Sequence, residues 1–314
     1  MTAAPLPRWN LADLYAGPDD PQIETDFDRA AADAAGFKGR YAGAVADLDG
    51  NGLAEAIAGY ESIIEQVYRV MSYASLLHAA DTADPEIARM HQGCRERATA
   101  ITGDLLFFTL DLNRVDDDKL TRMYEVPALA RYRPWIDSER QFRKYQLDDA
   151  VEQMLHEKFV TGGGAWSRLF EETLADLRFK MGRKSLTLGE TLNRMVDTNP
   201  KVRAAAATSL SDGLNSRIRL FSLITNTLIK DKEIDDRLRG YQAPMSWRNL
   251  SNQVETEVVD ALVTAVNGRV DRLSHRYYAL KAKWFGVDAL NWWDRNAPLP
   301  KTAERAFDWT LAKD

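Results

Sequence analysis

Residues 53–74 read Leu53-Ala54-Glu55-Ala56-Ile57-Ala58-Gly59-Tyr60-Glu61-Ser62-Ile63-Ile64-Glu65-Gln66-Val67-Tyr68-Arg69-Val70-Met71-Ser72-Tyr73-Ala74, and this stretch decides the fold class. Leu53, Ile57, Tyr60, Ile64, Val67, Met71 and Ala74 recur at intervals of three and four, which is one apolar stripe along an α-helix. After Asp81-Thr82-Ala83-Asp84-Pro85 the stripe resumes at Ile87, Met90, Cys94, Ala98, Ile101, Leu105, Phe108 and Leu112. Asp84 reads as an N-cap with Pro85 at the first helical position. A helix over 53–78 is about 39 Å long at 1.5 Å per residue. Neither helix can cover its stripe alone, so the two are predicted to fold back on each other as an antiparallel pair.

Outward from this pair the helical period continues. Shorter helices are predicted over 116–160, broken at Pro127 and Pro134, and Gly162-Gly163-Gly164 reads as a flexible joint before a helix over 165–175. The β signal lies near 177–188: Leu177-Arg178-Phe179-Lys180-Met181, a turn at Gly182-Arg183-Lys184, then Ser185-Leu186-Thr187-Leu188. A long helix is predicted from Asn199-Pro200 through Val202, Ala206, Leu210, Leu214, Ile218, Phe221 and Leu228. Another is predicted from about Glu255 to Trp284, and 240–249 reads as a loop. The expected fold is all-α, with long antiparallel helices and one small β-hairpin, in three segments over 1–115, 116–198 and 199–314.

Composition narrows the function classes. The chain is 45% hydrophobic and 28% charged, as globular proteins are. Its net charge of −6 supplies no basic field for nucleic acid or an anionic membrane surface. Cys94 is the lone cysteine, which excludes an internal disulfide and a multi-cysteine zinc site and fits a reducing compartment, so the cytoplasm is expected. The start, Met1-Thr2-Ala3-Ala4-Pro5-Leu6-Pro7-Arg8-Trp9, lacks the pattern of a signal peptide, and no apolar run approaches the ~20 residues of a membrane span.

Candidate chemistry is sparse. A zincin site needs His-Glu-x-x-His on one helix, because two imidazoles four residues apart grip one metal ion while the Glu polarises its water. The nearest string, His156-Glu157-Lys158-Phe159-Val160, has Val160 in place of the second ligand. His78, His91, His156 and His275 lie far apart in sequence, and the residues three before them, Ser75, Ala88, Gln153 and Arg272, exclude the Glu-x-x-His pairs of a di-iron bundle. Cys94 falls on the apolar stripe and reads as a core thiol. The glycine triplet lacks the Gly-Lys-Ser/Thr ending of a phosphate loop. Arg131-Tyr132-Arg133-Pro134-Trp135 with Arg140, Arg143 and Lys144 is diluted by Asp137 and Glu139 and reads as a solvated helix face. Trp292-Trp293-Asp294-Arg295, near Trp284-Phe285, reads as a buried aromatic plug, or as wall of a substrate channel. No residue of the chain is assigned a catalytic, cofactor-binding or metal-binding role.

Several strings resemble a known family when taken in order. They are Trp9-Asn10-Leu11-Ala12-Asp13-Leu14-Tyr15; Gly162 with Ala165-Trp166 and Leu169-Phe170; Lys230-Asp231, Leu238-Arg239-Gly240-Tyr241 and Pro244-Met245. Most specific are Arg276-Tyr277-Tyr278-Ala279-Leu280-Lys281-Ala282-Lys283, Gly286, Asp288, Leu290, Asp294 and Pro298-Leu299. Over nearly its whole length the chain resembles the oligoendopeptidase F branch of the thimet-oligopeptidase-like zinc metallopeptidases.

The resemblance implies a helical enzyme around a deep channel in which zinc hydrolyses short peptides. It makes 116–198 an oligoendopeptidase F-type N-terminal domain and 199–314 the beginning of a peptidase domain. The family's zinc ligands, two His and a later Glu, lie beyond the point where this sequence ends, as do the Tyr and His that stabilise its tetrahedral intermediate. Phe307-Asp308-Trp309-Thr310-Leu311-Ala312-Lys313-Asp314 reads as a helix just begun, so truncation is expected. The expected role is therefore the N-terminal portion of a zinc endopeptidase, with zinc, oligopeptide substrate and a missing C-terminal catalytic portion belonging to the full-length enzyme. Alone, the chain is expected to bind no metal and cleave nothing. The alternative is a non-catalytic helical scaffold binding peptides or a partner helix; a downstream His-Glu-x-x-His would separate the two.

Overall fold

Three aspartates at helix starts organise the first half of the chain. The computed structural model describes residues 9–82, 84–300 and 309–313. The expectations for Met1 to Arg8, Phe307, Asp308 and Asp314 lie outside the described residues. Asp20 caps α1 (Pro21–Tyr41), accepting from the Gln22 amide at 2.9 Å; Asp49 caps α2 (Gly50–Ala80); and Asp84 caps α3 (Pro85–Arg114). Each carboxylate satisfies amides that the first helical turn leaves free and opposes the positive end of the helix dipole. Then come α4 (Asp117–Met123), α5 (Pro127–Ala130), α6 (Arg133–Arg140) and α7 (Asp149–Lys158). The run is broken at Pro127 and Pro134 as expected, each proline standing in the first turn of the next helix, α5 or α6, where no amide is needed.

The chain continues through α8 (Gly163–Asp176), β1 (Phe179–Met181), β2 (Lys184–Leu186), α9 (Leu188–Arg194), α10 (Pro200–Asn215) and α11 (Ile218–Arg239). It closes with α12 (Ser246–Ser251), α13 (Thr256–Asn267), α14 (Arg276–Phe285) and α15 (Trp309–Lys313). The all-α expectation holds, with a single antiparallel β-pair among the described residues. No helix among them is long and apolar enough to cross a membrane. The chain forms two compact units. One comprises Asn10–Leu169 and Ile224–Glu255, and the other centres on Phe170–Leu223 and Thr256–Asp314.

In the first unit α1, α2 and α3 share one apolar core. Leu53, Ile57, Val67 and Ala74 of the quoted stripe are buried, and so are Leu105, Phe108 and Leu112 of α3. Ile64 is only half-buried, whereas Ile63 and Val70 are fully covered, because α1 packs on a second side of α2 and widens its apolar face. Phe37 of α1 meets Phe108 edge-on at 5.1 Å, and Tyr60 links Phe108 to Trp135. Arg140 ends α6 inside this unit. It donates to the Leu112 and Val115 carbonyls at 2.5 and 2.7 Å, placing a cation at the negative end of α3, and pairs with Asp117 at 2.7 Å.

The glycine triplet is not a joint. Gly163 and Gly164 begin α8 and are buried, and a Cβ on Gly164 would stand 2.9 Å from both the Phe159 carbonyl oxygen and Arg95 Nη2. Close packing requires glycine there, not chain mobility.

In the second unit the hairpin is shorter than expected. Phe179 pairs with Leu186 and Met181 with Lys184, leaving a two-residue turn in which Gly182 takes φ +62°. Thr187 leaves the strand to cap α9 in a reciprocal capping box with Glu190. Phe179 lies against α10 at Gly213, where a Cβ would stand 2.5 Å from its ring.

Both long helices expected in the second half are interrupted. The first ends at Asn215, where the Ser216 hydroxyl donates to the Gly213 carbonyl at 2.7 Å and the turn tightens. The second stops at Asn267 before Gly268 and resumes through a π-turn over Asp271–His275.

The centre of this unit is polar. Arg203 of α10 is 1% exposed and gives Nε and Nη2 to Asp294 Oδ1 at 2.9 and 2.7 Å. Its Nη1 donates to the carbonyls of Asp197 and Thr198. Buried Lys281 of α14 donates to the Arg295 carbonyl at 2.7 Å.

Candidate functional site

The four histidines fall in three places. His78 and His91 meet across the α2–α3 hairpin, their rings stacked at 4.8 Å. Burial lowers the His91 pKa below the usual imidazole range, and His78, Arg95 and Arg168 push it further down. His156 on α7 turns into α3, its Nε2 3.1 Å from both Thr102 Oγ1 and the Thr99 carbonyl oxygen. A carbonyl only accepts, so that nitrogen carries the ring proton. His275 Nδ1 lies 2.7 Å from Asp271 on an exposed turn.

Zinc needs three or four donors converging on one point. Among the described residues no group of three or more His, Cys, Asp or Glu is placed to hold a metal ion. In the His156-Glu157 string, Glu157 accepts from Gln153 at 2.8 Å and His156 is spent on α3. The described residues do not assemble a zinc centre, and no hydrolytic step is assigned to them.

Cys94 is buried, and burial raises the pKa of its thiol, as the core-thiol reading requires. Two other readings need correction. The arginine-rich stretch is a solvated face only in part: Arg131, Arg133, Arg143 and Lys144 are exposed, but Arg140 and Tyr132 are buried, and Arg143 forms a two-pronged bond with Asp117 at 2.7 and 2.9 Å. These partners come from the end of α3 and the start of α4, which inspection of residues 131–144 alone does not reveal. The aromatic plug is buried only in part, since Trp284 and Trp292 are exposed while Phe285 and Trp293 are half-buried beside buried Asp294.

Two surfaces remain as candidates. The first is a cleft of about 350 Å³ in the first unit, between α3, α6, α7, the end of α11 and α12. Arg239 and Glu152 pair across it through two parallel bonds of 2.6 and 2.9 Å, and the Arg239 Nε–H donates to Asp235 at 2.9 Å. These bonds hold the Arg239 pKa above its ordinary value. Tyr241 stacks on Tyr145 at 3.9 Å, and burial pushes its phenol up to about 12. The family-like string Leu238-Arg239-Gly240-Tyr241 already contained two of these residues, though not their partners.

The second surface is apolar and belongs to the second unit. Val258, Leu262, Val263 and Val266 project from α13, and Leu273, Tyr277, Leu280, Trp284 and Val287 follow through the π-turn and α14. All nine are between 42 and 64% exposed, and from Leu262 onward they recur at helical spacing. On α2 and α3 the exposed large apolar side chains are Tyr68 and Leu76. Large apolar side chains left exposed in a row at helical spacing have the character of an interaction surface.

Comparison with known proteins fits this architecture. Residues 111–179 match the sequence model of a family described as Oligopeptidase F. The chain is 23% identical over 317 residues to Oligopeptidase PepF of Bacillus subtilis, spanning 98% of itself and 46% of that protein. It is 23% identical over 305 residues to Group B oligopeptidase PepB of Streptococcus agalactiae, spanning 93% and 49%. The structure of oligoendopeptidase-F from Enterococcus faecium shares the fold with a TM-score of 0.78 at 21% identity, over 88% of this chain and 56% of that one. The chain thus spans about half the length of the curated relatives it matches.

Proposed function

We infer, from the premise that the chain sits in the oligoendopeptidase F branch, that it forms the N-terminal portion of a zinc-dependent endopeptidase acting on short peptides. In this reading the chain builds channel wall, and zinc and the catalytic residues are held by a further C-terminal portion. The carrying observation is the apolar stripe from Val258 to Val287, which has the character of a surface made to be covered. The relatives' roughly twofold greater length supplies a candidate cover. The scattered histidines agree with a metal centre held elsewhere. A lone buried thiol suits a cytoplasmic setting.

The test compares the 314-residue chain with the chain extended through the reading frame after Asp314, each given Zn²⁺ and a quenched oligopeptide. The extended protein is expected to cleave the peptide and lose that activity to a chelator, while the shorter chain leaves it intact. Chelator-sensitive cleavage by the homogeneous 314-residue chain, or a downstream frame with no His-Glu-x-x-His helix, would overturn the reading.

A further inference from the structure

The cleft of the first unit has a charge its own residues do not neutralise. Four charged groups line it: Glu139, Glu152 and Asp235 against Arg239, three carboxylates to one guanidinium, for a formal charge of −2. The Arg239 charge is already matched by two carboxylates, and four of its five N–H donors are taken. It is bound to both oxygens of Glu152, to Asp235 and, at 3.3 Å, to the Tyr145 carbonyl.

Glu139 is in the opposite condition. Half-buried near the C-terminal end of α6, its carboxylate has no hydrogen-bond or ion-pair partner among the described residues. The neighbouring cations are engaged elsewhere. Arg140 and Arg143 both bind Asp117, and Lys144 lies over the Tyr145 ring. Burial accordingly raises the Glu139 pKa, with no cation near enough to oppose it.

The rest of the lining is aromatic. Phe142, the Tyr145–Tyr241 stack and Trp247 contribute ring surface. The Arg248 guanidinium stands 5.2 Å from the Trp247 ring centre over one face, so the ring already attracts such a group, and at 38% exposure Trp247 keeps further surface open to solvent. A lone carboxylate beside aromatic walls selects for a group that is positive, planar and weakly hydrated. A guanidinium has all three properties, because it can meet a carboxylate through two parallel N–H bonds and stack on a ring. About 350 Å³ admits such a group with a short alkyl stem.

We propose that this cleft is a binding site for a guanidinium group, with the Glu139 carboxylate as its counter-charge and the Tyr241 and Trp247 rings as its walls. The site is defined by charge and shape within one unit and does not depend on the chain belonging to a peptidase.

The experiment is calorimetric titration of the 314-residue chain with three probes: a blocked Gly-Arg-Gly peptide, the same peptide with citrulline for arginine, and ethylguanidinium. Citrulline keeps the shape and loses the charge. The arginine peptide is expected to bind at least about tenfold more tightly than the citrulline peptide, as a charge-assisted bond of about 1.5 kcal/mol or more requires. Glu139→Gln is expected to abolish that difference. Because burial already disfavours the Glu139 charge, this variant should keep the wild-type helical spectrum and melting behaviour. Trp247→Leu, at a residue 38% exposed, should weaken arginine binding about twofold to fivefold. Tighter binding of the peptide than of ethylguanidinium would assign the site to peptides, and the reverse order to small guanidines. Equal binding of the arginine and citrulline peptides would overturn the proposal, as would a folded Glu139→Gln chain that still discriminates between them.

Discussion

Replacing Asp294 with alanine isolates the polar centre of the second unit. Asp294 receives two bonds from Arg203, and its other oxygen accepts from the Asn291 amide and side chain, both at 3.2 Å. Burial raises its pKa, but the bonds from Arg203 and Asn291 outweigh burial and hold it below the ordinary carboxylate value. Removing one member of a buried ion pair costs about 3–5 kcal/mol, because the other charge remains without its counter-ion.

Here the Arg203 side chain is 2% exposed and cannot turn to water, although the Asp197 and Thr198 carbonyls continue to accept from it. Those neutral acceptors place the expected loss near the lower end, about 3 kcal/mol. Urea unfolding followed by circular dichroism and tryptophan fluorescence would measure it. The double variant Arg203→Met with Asp294→Leu should recover most of the loss, since apolar replacement of a buried pair is often neutral. A cost below about 1 kcal/mol for Asp294→Ala would refute the claim that this pair is sealed from solvent.

Further perturbations address other levels of the fold. Gly213→Ala drives a Cβ to within 2.5 Å of the Phe179 ring and should destabilise by about 1–3 kcal/mol despite alanine's better helix propensity, as chemical unfolding would show; an unchanged midpoint contradicts the packing argument. Leu105→Asp should unfold the α1–α3 core, because an unpaired buried carboxylate costs several kcal/mol, whereas Ile64→Asp should be the milder change. Equal melting of the two variants would show that burial does not rank these sites. As for pH, the folded state holds His91 below its unfolded value of about 6.5 and so binds fewer protons than the unfolded chain; acidification through that value should lower stability. Urea midpoints at pH 7.5 and 5.5 should differ more in the wild type than in His91→Gln, and identical differences would remove His91 as the cause.

The elements best legible in the sequence were those whose signals are local. The α2–α3 hairpin announces itself through an unbroken stripe and the Asp84-Pro85 start, and Asn199 caps α10 by the same chemistry. The interruption before α14 was hidden because the apolar spacing continues through the π-turn, from Val266 to Leu273 to Tyr277, while the backbone hydrogen bonds change. Gly162 to Gly164 looked mobile because glycine signals freedom and close packing alike, and the crowding by Phe159, Arg95 and Asp231 that decides between them is a feature of the folded chain. The cleft was invisible for a related reason. Glu152 and Arg239 are 87 residues apart, and nothing near either marks it as the other's partner.

The first unit is assembled from two stretches of chain separated by Phe170–Leu223, and the second resumes only at Thr256. During synthesis from the N-terminus, α1 to α7 can collapse early, but Glu152 must wait for Arg239 while part of the other unit emerges between them. Neither unit is complete before the other has begun, and no single cut releases either one intact. The order of folding is interleaved by the path of the chain, and a nick anywhere between 170 and 223 would leave two fragments that need each other to rebuild the cleft.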